Sequence, residues 1–388
     1  MNILYLSPHF PPNFYLFPAK LVERGARVLG ITDQHVSQLR LDLQMSLWDH
    51  IQVSDLHSTQ EVHAAVENFQ RDHGTIHRVE SHLETWLELE ADIRKKYKIF
   101  GLKEGLEALR RKSLMKDFFS EAGVTTAPFR ILEDYDSALE FVAEVGYPII
   151  IKPDTGIGAQ DTHKIRNLEE LQFFLERRKP YPYIMEAFVT GEIVTFDGLT
   201  NSNGDIVFFT SHEYSLDARK IASEARDFYY YNYREIPEKL EKAGTRCLEV
   251  MQVREKFFHL EFFRTADGNL VGIEINLRPP GGMTTDMMNY AHDMDVYDLW
   301  AGVVTGQIDS YELERKFHCA HVSRRKRYDY KYSHEQILDM LGDRLSLYSE
   351  LPAIYAEVMG EFAYLVRYET LDEVREVASL IHQAPDNV

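Results

Sequence analysis

The stretch around Asp267-Gly268 limits the fold more than any other part of the sequence. Asp-Gly between two alternating runs is a strong hairpin signal, because glycine takes the positive φ that a tight turn needs. It joins a strand predicted over residues 257–264 to another over 270–276. Strand side chains alternate faces, so Glu274 and Asn276 point one way, and Ile273, Ile275 and Leu277 point the other, toward a core. Glu261, on the partner strand, can face Glu274 and Asn276. Three oxygen donors on a rigid sheet suit magnesium, which keeps waters or phosphate oxygens as its remaining ligands. Two such ions would bridge nucleotide phosphates and neutralise developing charge. A solvated polar face of a hairpin is the competing reading of the three residues alone. Arg278-Pro279-Pro280-Gly281-Gly282, which follows, shifts the balance. It ends the strand abruptly, exposes backbone N–H groups and sets an arginine where it can clamp a carboxylate or a transferring phosphoryl group. His259 shares the face of Glu261, either orienting it or serving as a hydrogen-bonded core histidine.

Upstream, Ile149-Ile150-Ile151 forms an apolar strand ending in Lys152. A lysine there is rarely core filler, since burying its charge unpaired is costly. The functional reading places it on nucleotide phosphates, with Gly156 and Gly158 letting the next loop close over them. That loop is not a Walker A motif, because the G-x-x-x-x-G-K-[ST] spacing is missing; an ordinary turn explains its glycines equally. Lys112, with Arg110 and Arg111, begins a helix predicted over 112–122. Positive charge at a helix N-terminus is mildly unfavourable, so either an anion binds there or the helix start is simply solvated. Met185-Glu186-Ala187-Phe188-Val189 ends a strand predicted over 183–189. Such an edge grips adenine through its backbone while Glu186 accepts from the exocyclic amine; a strand with one exposed acid is the alternative.

Residues 2–7 read as a buried strand, and Phe14, Phe17 and Leu21 recur at helical spacing before a second strand over 27–32. This is the βαβ opening of a doubly wound sheet. No G-x-G-x-x-G follows, so a dinucleotide fingerprint is absent. Glu80-Ser81-His82, followed by Glu84 and Trp86, is either a capped helix start or part of a ligand cleft. Ser211-His212-Glu213-Tyr214 is a candidate for an acceptor pocket. Tyr229-Tyr230-Tyr231 reads as packing ahead of an aromatic lid. Arg324-Arg325-Lys326-Arg327 reads as a solvated strand ahead of a site for an acidic substrate. Thr370 and Glu373 form a capping box before Val374, Val377 and Ile381.

A length of 388 residues suggests two to three domains. The net charge of -19 argues against nucleic acid as a partner, and any anionic nucleotide must meet a local positive site. Two cysteines, Cys247 and Cys319, exclude a disulfide framework and fit a reducing compartment. No apolar run reaches the roughly 18 residues of a spanning helix, and the start lacks the basic region of a signal peptide. The expectation is a cytoplasmic protein with no membrane role.

Taken in order, these pieces resemble the ATP-grasp superfamily, with its biotin-carboxylase, carbamoyl-phosphate-synthetase and L-amino-acid-ligase branches. The resemblance covers roughly residues 109–310. It rests on K-S-L-M-K-x-F-F-x-x-A-G-V from Lys112, Y-P-I-I-I-K-P at Lys152, M-E-x-F-V-x-G-E at Glu186, and H-L-E-F-F with G-I-E-I-N-L-R-P-P-G-G. It implies an α/β fold: a Rossmann-like pre-ATP-grasp domain over 1–108, an ATP-grasp lid subdomain over 109–195, a metal-binding subdomain over 196–310, and a C-terminal α+β portion over 311–388. It implies that Lys112 and Lys152 bind ATP phosphates, that Glu186 with the backbone of Ala187 and Val189 holds adenine, and that Glu192 binds ribose. Glu261, Glu274 and Asn276 would hold two magnesium ions, with manganese as a substitute. Arg278 would stabilise the acyl-phosphate and tetrahedral stages, aided by the Gly281-Gly282 backbone. Glu80, Ser81, His82, His212 and Glu213 would face the substrates. The expected activity is amide or peptide bond formation between small carboxylates and amines, with amino acids or small peptides as the expected class, and with release of ADP and phosphate; a homodimer is compatible. The loop over 154–160 is less glycine-rich than in biotin carboxylases, and no second ATP-grasp half is present. Arg-Pro-Pro-Gly-Gly looks more like the amino-acid ligase branch. Biotin-carboxylase-like carboxylation and an inactive nucleotide-binding regulator are the alternatives.

Overall fold

A computed structural model describes residues 1–156, 161–215 and 226–385. The chain opens with β1 (Asn2–Leu6), buried at all five positions, as a strand covered on both faces must be. Then follow α1 (Leu16–Glu23), β2 (Arg27–Thr32), α2 (Leu41–Ser46), β3 (Asp49–Gln52), α3 (Thr59–His73), β4 (Arg78–Glu80) and α4 (Leu87–Lys96). The strands form a parallel sheet in the order β3-β2-β1-β4. Phe14, Phe17 and Leu21 are buried together, as their spacing requires.

A second unit follows: α5 (Leu106–Arg110), α6 (Lys112–Glu121), β5 (Thr125–Thr126), β6 (Phe129–Ile131), α7 (Tyr135–Val145), β7 (Ile149–Pro153), β8 (His163–Ile165), α8 (Leu168–Arg177) and β9 (Tyr183–Ala187). A capping box of Asp134 and Ser137 starts α7, and Gly146 ends it. The small antiparallel sheet β6-β9-β7-β8 is covered by these helices, with Ala138, Phe141, Leu171 and Phe174 packed on Ile149, Ile151 and Met185. Strand alternation turns Ile150 and Lys152 to the other face.

The remaining elements are β10 (Glu192–Thr200), β11 (Ile206–Thr210), β12 (His212–Tyr214), β13 (Tyr229–Asn232), α9 (Glu238–Met251), β14 (Phe257–Arg264), β15 (Leu270–Asn276), α10 (Thr284–His292), α11 (Val296–Val304), β16 (His318–Arg324), α12 (His334–Leu341), β17 (Leu345–Glu350), α13 (Ala353–Met359), β18 (Phe362–Tyr368) and α14 (Leu371–Ile381). They build a large sheet in the order β17-β18-β16-β13-β12-β10-β14-β15-β5, with β11 also on β10. One face, including Val194, Phe196, Leu260 and Phe262, packs against Phe119 of α6, Leu248 of α9 and Ile381 of α14. Thr195, Asp197, His259 and Glu261 alternate onto the opposite face. The N-terminal unit is tied to the large sheet by Lys256, which reaches Glu80 at 2.7 Å and Glu90 at 3.1 Å.

Two expectations are corrected. Ile273 does not face the core. Glu261 pairs with Glu274, but Phe262 pairs with Gly272, so Ile273 is the extra residue of a β-bulge. The bulge lets Ile273 and Glu274 line the same cavity. The basic run is not a solvated strand either: Arg324 and Arg325 are buried. Arg324 donates to the carbonyls of Ile381 and Tyr332, and Arg325 to those of Arg226 and Ala356. Tyr230 and Tyr231 are packed inside the fold.

The contact of β15 with α6 requires a glycine, since a Cβ at Gly272 would stand 2.5 Å from Phe119 Cδ1. Gly272→Ala is expected to lose about 1–3 kcal/mol of stability through overpacking, read as a lower urea midpoint with an unchanged m-value.

Candidate active site

A cavity of about 450 Å³ lies between the small sheet and the β14–β15 hairpin. Lys112 and Lys116 enter it from α6, Lys152 from β7, Glu186 from β9, and Glu261 and Glu274 from the hairpin. Each position follows from local periodicity. Lys116 is one helical turn beyond Lys112, so both project from one face. Glu186 stands opposite Ile150 in the β7–β9 register, on the cavity side of the sheet.

The start of α6 is capped from β7. Asp154 Oδ1 accepts from the Ser113 backbone N–H at 2.8 Å, and Oδ2 accepts from Ser113 Oγ at 2.9 Å and Arg111 Nε at 2.8 Å. Asp154 thus supplies an anion at a helix N-terminus that carries Lys112, and part of the sequence argument for a bound anion is met by the chain itself. Lys112 Nζ donates to the Gly156 carbonyl and pairs with Glu274 Oε1, both at 2.8 Å.

Glu186 holds two lysines. Its Oε1 is 2.6 Å from Lys116 Nζ, and its Oε2 is 2.7 Å from Lys152 Nζ. Burial alone would raise the Glu186 carboxyl, but Lys152 and Lys116 bring it down to about 2. Burial weakens the Lys152 ammonium too, yet Glu186, with Glu274 and Glu261 beyond it, holds its pKa above the ordinary lysine value. Lys116 falls below that value, because burial and the neighbouring Lys152 outweigh Glu186.

On the large sheet, His259 stands between two carboxylates. Its Nε2 is 2.9 Å from Glu261 Oε1, and its Nδ1 is 2.5 Å from Asp197 Oδ1. Burial opposes the imidazolium, but Asp197 and Glu261 push its pKa up to about 9. Asp197 also meets His212 Nδ1 at 2.7 Å. The side chain of Glu261 is therefore held by a buried chain of polar groups.

Glu274 and Asn276 face Glu261 and His259 respectively across the hairpin. Asn276 Nδ2 is buried with no hydrogen-bond partner among the described residues. Among the described residues no cluster of three or more His, Cys, Asp or Glu forms an all-protein metal cage. Two carboxylates and an amide instead fit magnesium, which completes its shell with water and phosphate oxygens.

Arg278 lies beside this group, its Nε 3.9 Å from Glu84 Oε2. Glu84 is raised from the ordinary glutamate value by burial, which Arg278 only partly offsets. Ala187, Val189 and Gly191 line the cavity, and Glu192 is exposed at its rim, hydrogen-bonded by Arg264. Gly281 and Gly282 precede α10, and the Gly282 carbonyl accepts from Asn13 Nδ2 at 3.3 Å. Gly158 lies outside the described residues.

The remaining candidates are elsewhere. Glu80 is committed to Lys256 and Arg94, Ser81 bonds Glu90, and His82 is enclosed by Phe17 and Trp300. Alternation separates the other pair: His212 joins Asp197, while Glu213 bonds Tyr231 and Arg264. Sequence reasoning missed Lys116, Asp154 and Asp197. The four-residue spacing from Lys112 was the available signal for Lys116; the other two act across long sequence separations.

A model of the ATP-grasp domain family matches residues 145–286, which contain Lys152, Glu186 and the hairpin carboxylates. The 2-oxoglutarate carboxylase small subunit of Hydrogenobacter thermophilus is 27% identical over 45% of this chain and 39% of its own length. The L-arginine-specific L-amino acid ligase of Bacillus subtilis is 23% identical over 49% of this chain and 48% of its own. The chain thus spans less than half the length of these curated relatives. The solved L-amino acid ligase from Bacillus licheniformis covers 100% of this chain and 99% of that one, with a TM-score of 0.75 and 14% identity. That likeness establishes the fold over the whole length.

The depressed Glu186 pKa gives a signed expectation. Its ion pairs contribute stability fully above the unfolded value of 4.5, and this is lost as pH falls toward about 2. The stability advantage of the wild type over Glu186→Gln, from urea midpoints, is therefore expected to be constant from pH 7 to 5 and to shrink at pH 3.

Proposed function

We propose that this chain is a member of the ATP-grasp superfamily and an ATP- and magnesium-dependent ligase joining a small carboxylate to an amine through an acyl phosphate. The observation that carries this is a single cavity with lysines on one wall and Glu261 and Glu274 on the other, with Asn276 two residues on along the same hairpin strand. Amino acids or small peptides are the proposed substrates, in keeping with the similarity to two L-amino acid ligases.

Lys112 and Lys152 would take the ATP phosphates. Each is already paired with a carboxylate, so for the lysines an arriving triphosphate exchanges one anion for another, while Glu274 and Glu186 would need other cations in their place. The backbone of Ala187 and Val189 and the side chain of Glu186 would hold adenine against an apolar wall that includes Ile150 and Phe263. Glu192 would reach ribose from the rim. Glu261, Glu274 and Asn276 would hold two magnesium ions, which when bound neutralise phosphate charge. His259 and Asp197 would keep Glu261 turned toward them. Arg278 would orient the substrate carboxylate for attack on the γ-phosphate and then stabilise the tetrahedral stage, with the Gly281-Gly282 backbone beside it. His212, near the end of the polar chain, would face the acceptor side. Closure of the small sheet would keep water from the acyl phosphate.

Similarity to the 2-oxoglutarate carboxylase small subunit favours a second reading, with bicarbonate as the carboxylate. One assay separates the two: phosphate release from MgATP with pooled amino acids and dipeptides, or with bicarbonate and biotin, followed by mass spectrometry. The ligase reading expects release only with an amine and carboxylate pool, and a product mass equal to their sum less water. Release only with bicarbonate would replace it. No release in any arm would leave a regulator without chemistry.

Arg278→Lys keeps the charge but loses the planar fork. It is expected to lower kcat roughly 10²-fold, with unchanged MgADP affinity by calorimetry.

A further inference from the structure

We infer that Lys116 is a positioning residue for nucleobase recognition: it fixes Glu186 in place while Lys152 turns to the phosphates, and so sets selectivity for a base bearing an exocyclic amine. This rests on the reading of the cavity as an ATP site, and it assigns a role to a residue that the motif from Lys112 contains but that reading leaves without one.

Glu186 divides its two oxygens between two ammonium groups, Oε1 to Lys116 at 2.6 Å and Oε2 to Lys152 at 2.7 Å. The lysines differ in what else they face. Lys152 also feels Glu274 and Glu261, which places its ammonium between Glu186 and the carboxylates of the hairpin. Lys116 instead lies 5.2 Å from the Phe129 ring, on the edge strand of the small sheet. Lys116 therefore holds Glu186 from the side of Phe129, and Lys152 holds it from the side that feels Glu274 and Glu261. A nucleotide whose phosphates lie at the hairpin end draws on Lys152 and places its base toward Glu186.

That exchange removes one of the two cations that hold Glu186. A buried carboxylate stripped of its partner turns aside or takes up a proton. Lys116, only 3% exposed, stays on Oε1 and prevents both. An ionised carboxylate only accepts hydrogen bonds. It therefore welcomes the amine of adenine and repels the carbonyl oxygen that hypoxanthine carries at the same position. Removing Lys116 weakens this discrimination without touching the phosphates.

The test uses the full chain and calorimetric binding of MgADP and MgIDP, which differ at that position of the base. The wild type is expected to prefer ADP by roughly tenfold, the scale of a hydrogen bond to a charged group. Lys116→Met is expected to weaken ADP but not IDP, so that the preference falls roughly fivefold, while Lys116→Arg keeps most of it. Lys152→Met is expected to weaken both nucleotides in the same proportion. In a Glu186→Gln background, Lys116→Met is expected to leave the preference unchanged. Thermal melts check folding, and Lys116→Gln replaces the methionine variant should that one not fold. Equal weakening of ADP and IDP by loss of Lys116, or an unaltered preference, overturns the inference. A wild type that binds both equally overturns it too, yet leaves the nucleotide site standing. A wild type that binds neither removes the site itself.

Discussion

The shared carboxylate of Glu186 is the interaction on which the cavity depends. It brings together a helix, two strands of the small sheet and, through Lys152, the field of the large sheet. Taking ions out of water costs several kcal/mol each, so a buried ammonium persists only beside a well-placed anion. Lys112 solves the same problem with Glu274. The pairing keeps the lysines charged and ordered, so the site is formed in advance of any ligand. Removing one partner would leave a bare charge inside the protein, which is more damaging than removing the pair.

Geometry supplies what charge alone does not. A strict two-residue period would place Ile273 and Glu274 on opposite faces of β15. The bulge opposite Glu261 breaks that period once, and the hairpin gains both an apolar wall and a carboxylate on one side. Gly272, next to the bulge, lets α6 approach closely enough to bring Lys112 and Lys116 over the hairpin. Bulge, glycine and helix thus act as one device: each would misplace the lysines or the carboxylates without the others.

Much of this architecture was legible in the sequence, and for definite reasons. Asp267-Gly268 and the alternation around it give the hairpin directly, and the isoleucine run gives β7. The capping box of Thr370 and Glu373 marks the start of α14. The turn gives the register as far as Phe262 with Gly272; continued, it would set Glu261 opposite Ile273, and the bulge moves it to Glu274. The bulge was not legible, because a single strand carries no record of which residue its partner skips. Asp154 and Asp197 were missed because their partners lie far away in sequence, as with His259 and Asp197, 62 residues apart. Glu80, Ser81 and His82 have the composition of a cleft, but inside the fold Lys256 and Arg94 take up Glu80, Glu90 takes up Ser81, and Phe17 and Trp300 enclose His82. Charged residues in a row report neither exposure nor burial, and Arg324 and Arg325 make the same point: backbone carbonyls, which no sequence pattern announces, hold them inside.

The net charge of -19 sharpens the question of how an anion enters at all. Long-range repulsion acts over about a Debye length, near 8 Å at physiological ionic strength, whereas a triphosphate inside the cavity meets lysines at contact distance in a less polarisable setting. The local term wins there because screening is weakest where the lysines are buried. The carboxylates that neutralise those lysines do not cancel the site. Under the proposed function, Glu274 would hold a divalent cation carried by the nucleotide and so release Lys112 to phosphate, the ion and its nucleotide entering as one neutralising unit. Charge in the cavity would be redistributed on binding and hardly change in sum, which would reconcile an acidic protein with an acidic ligand.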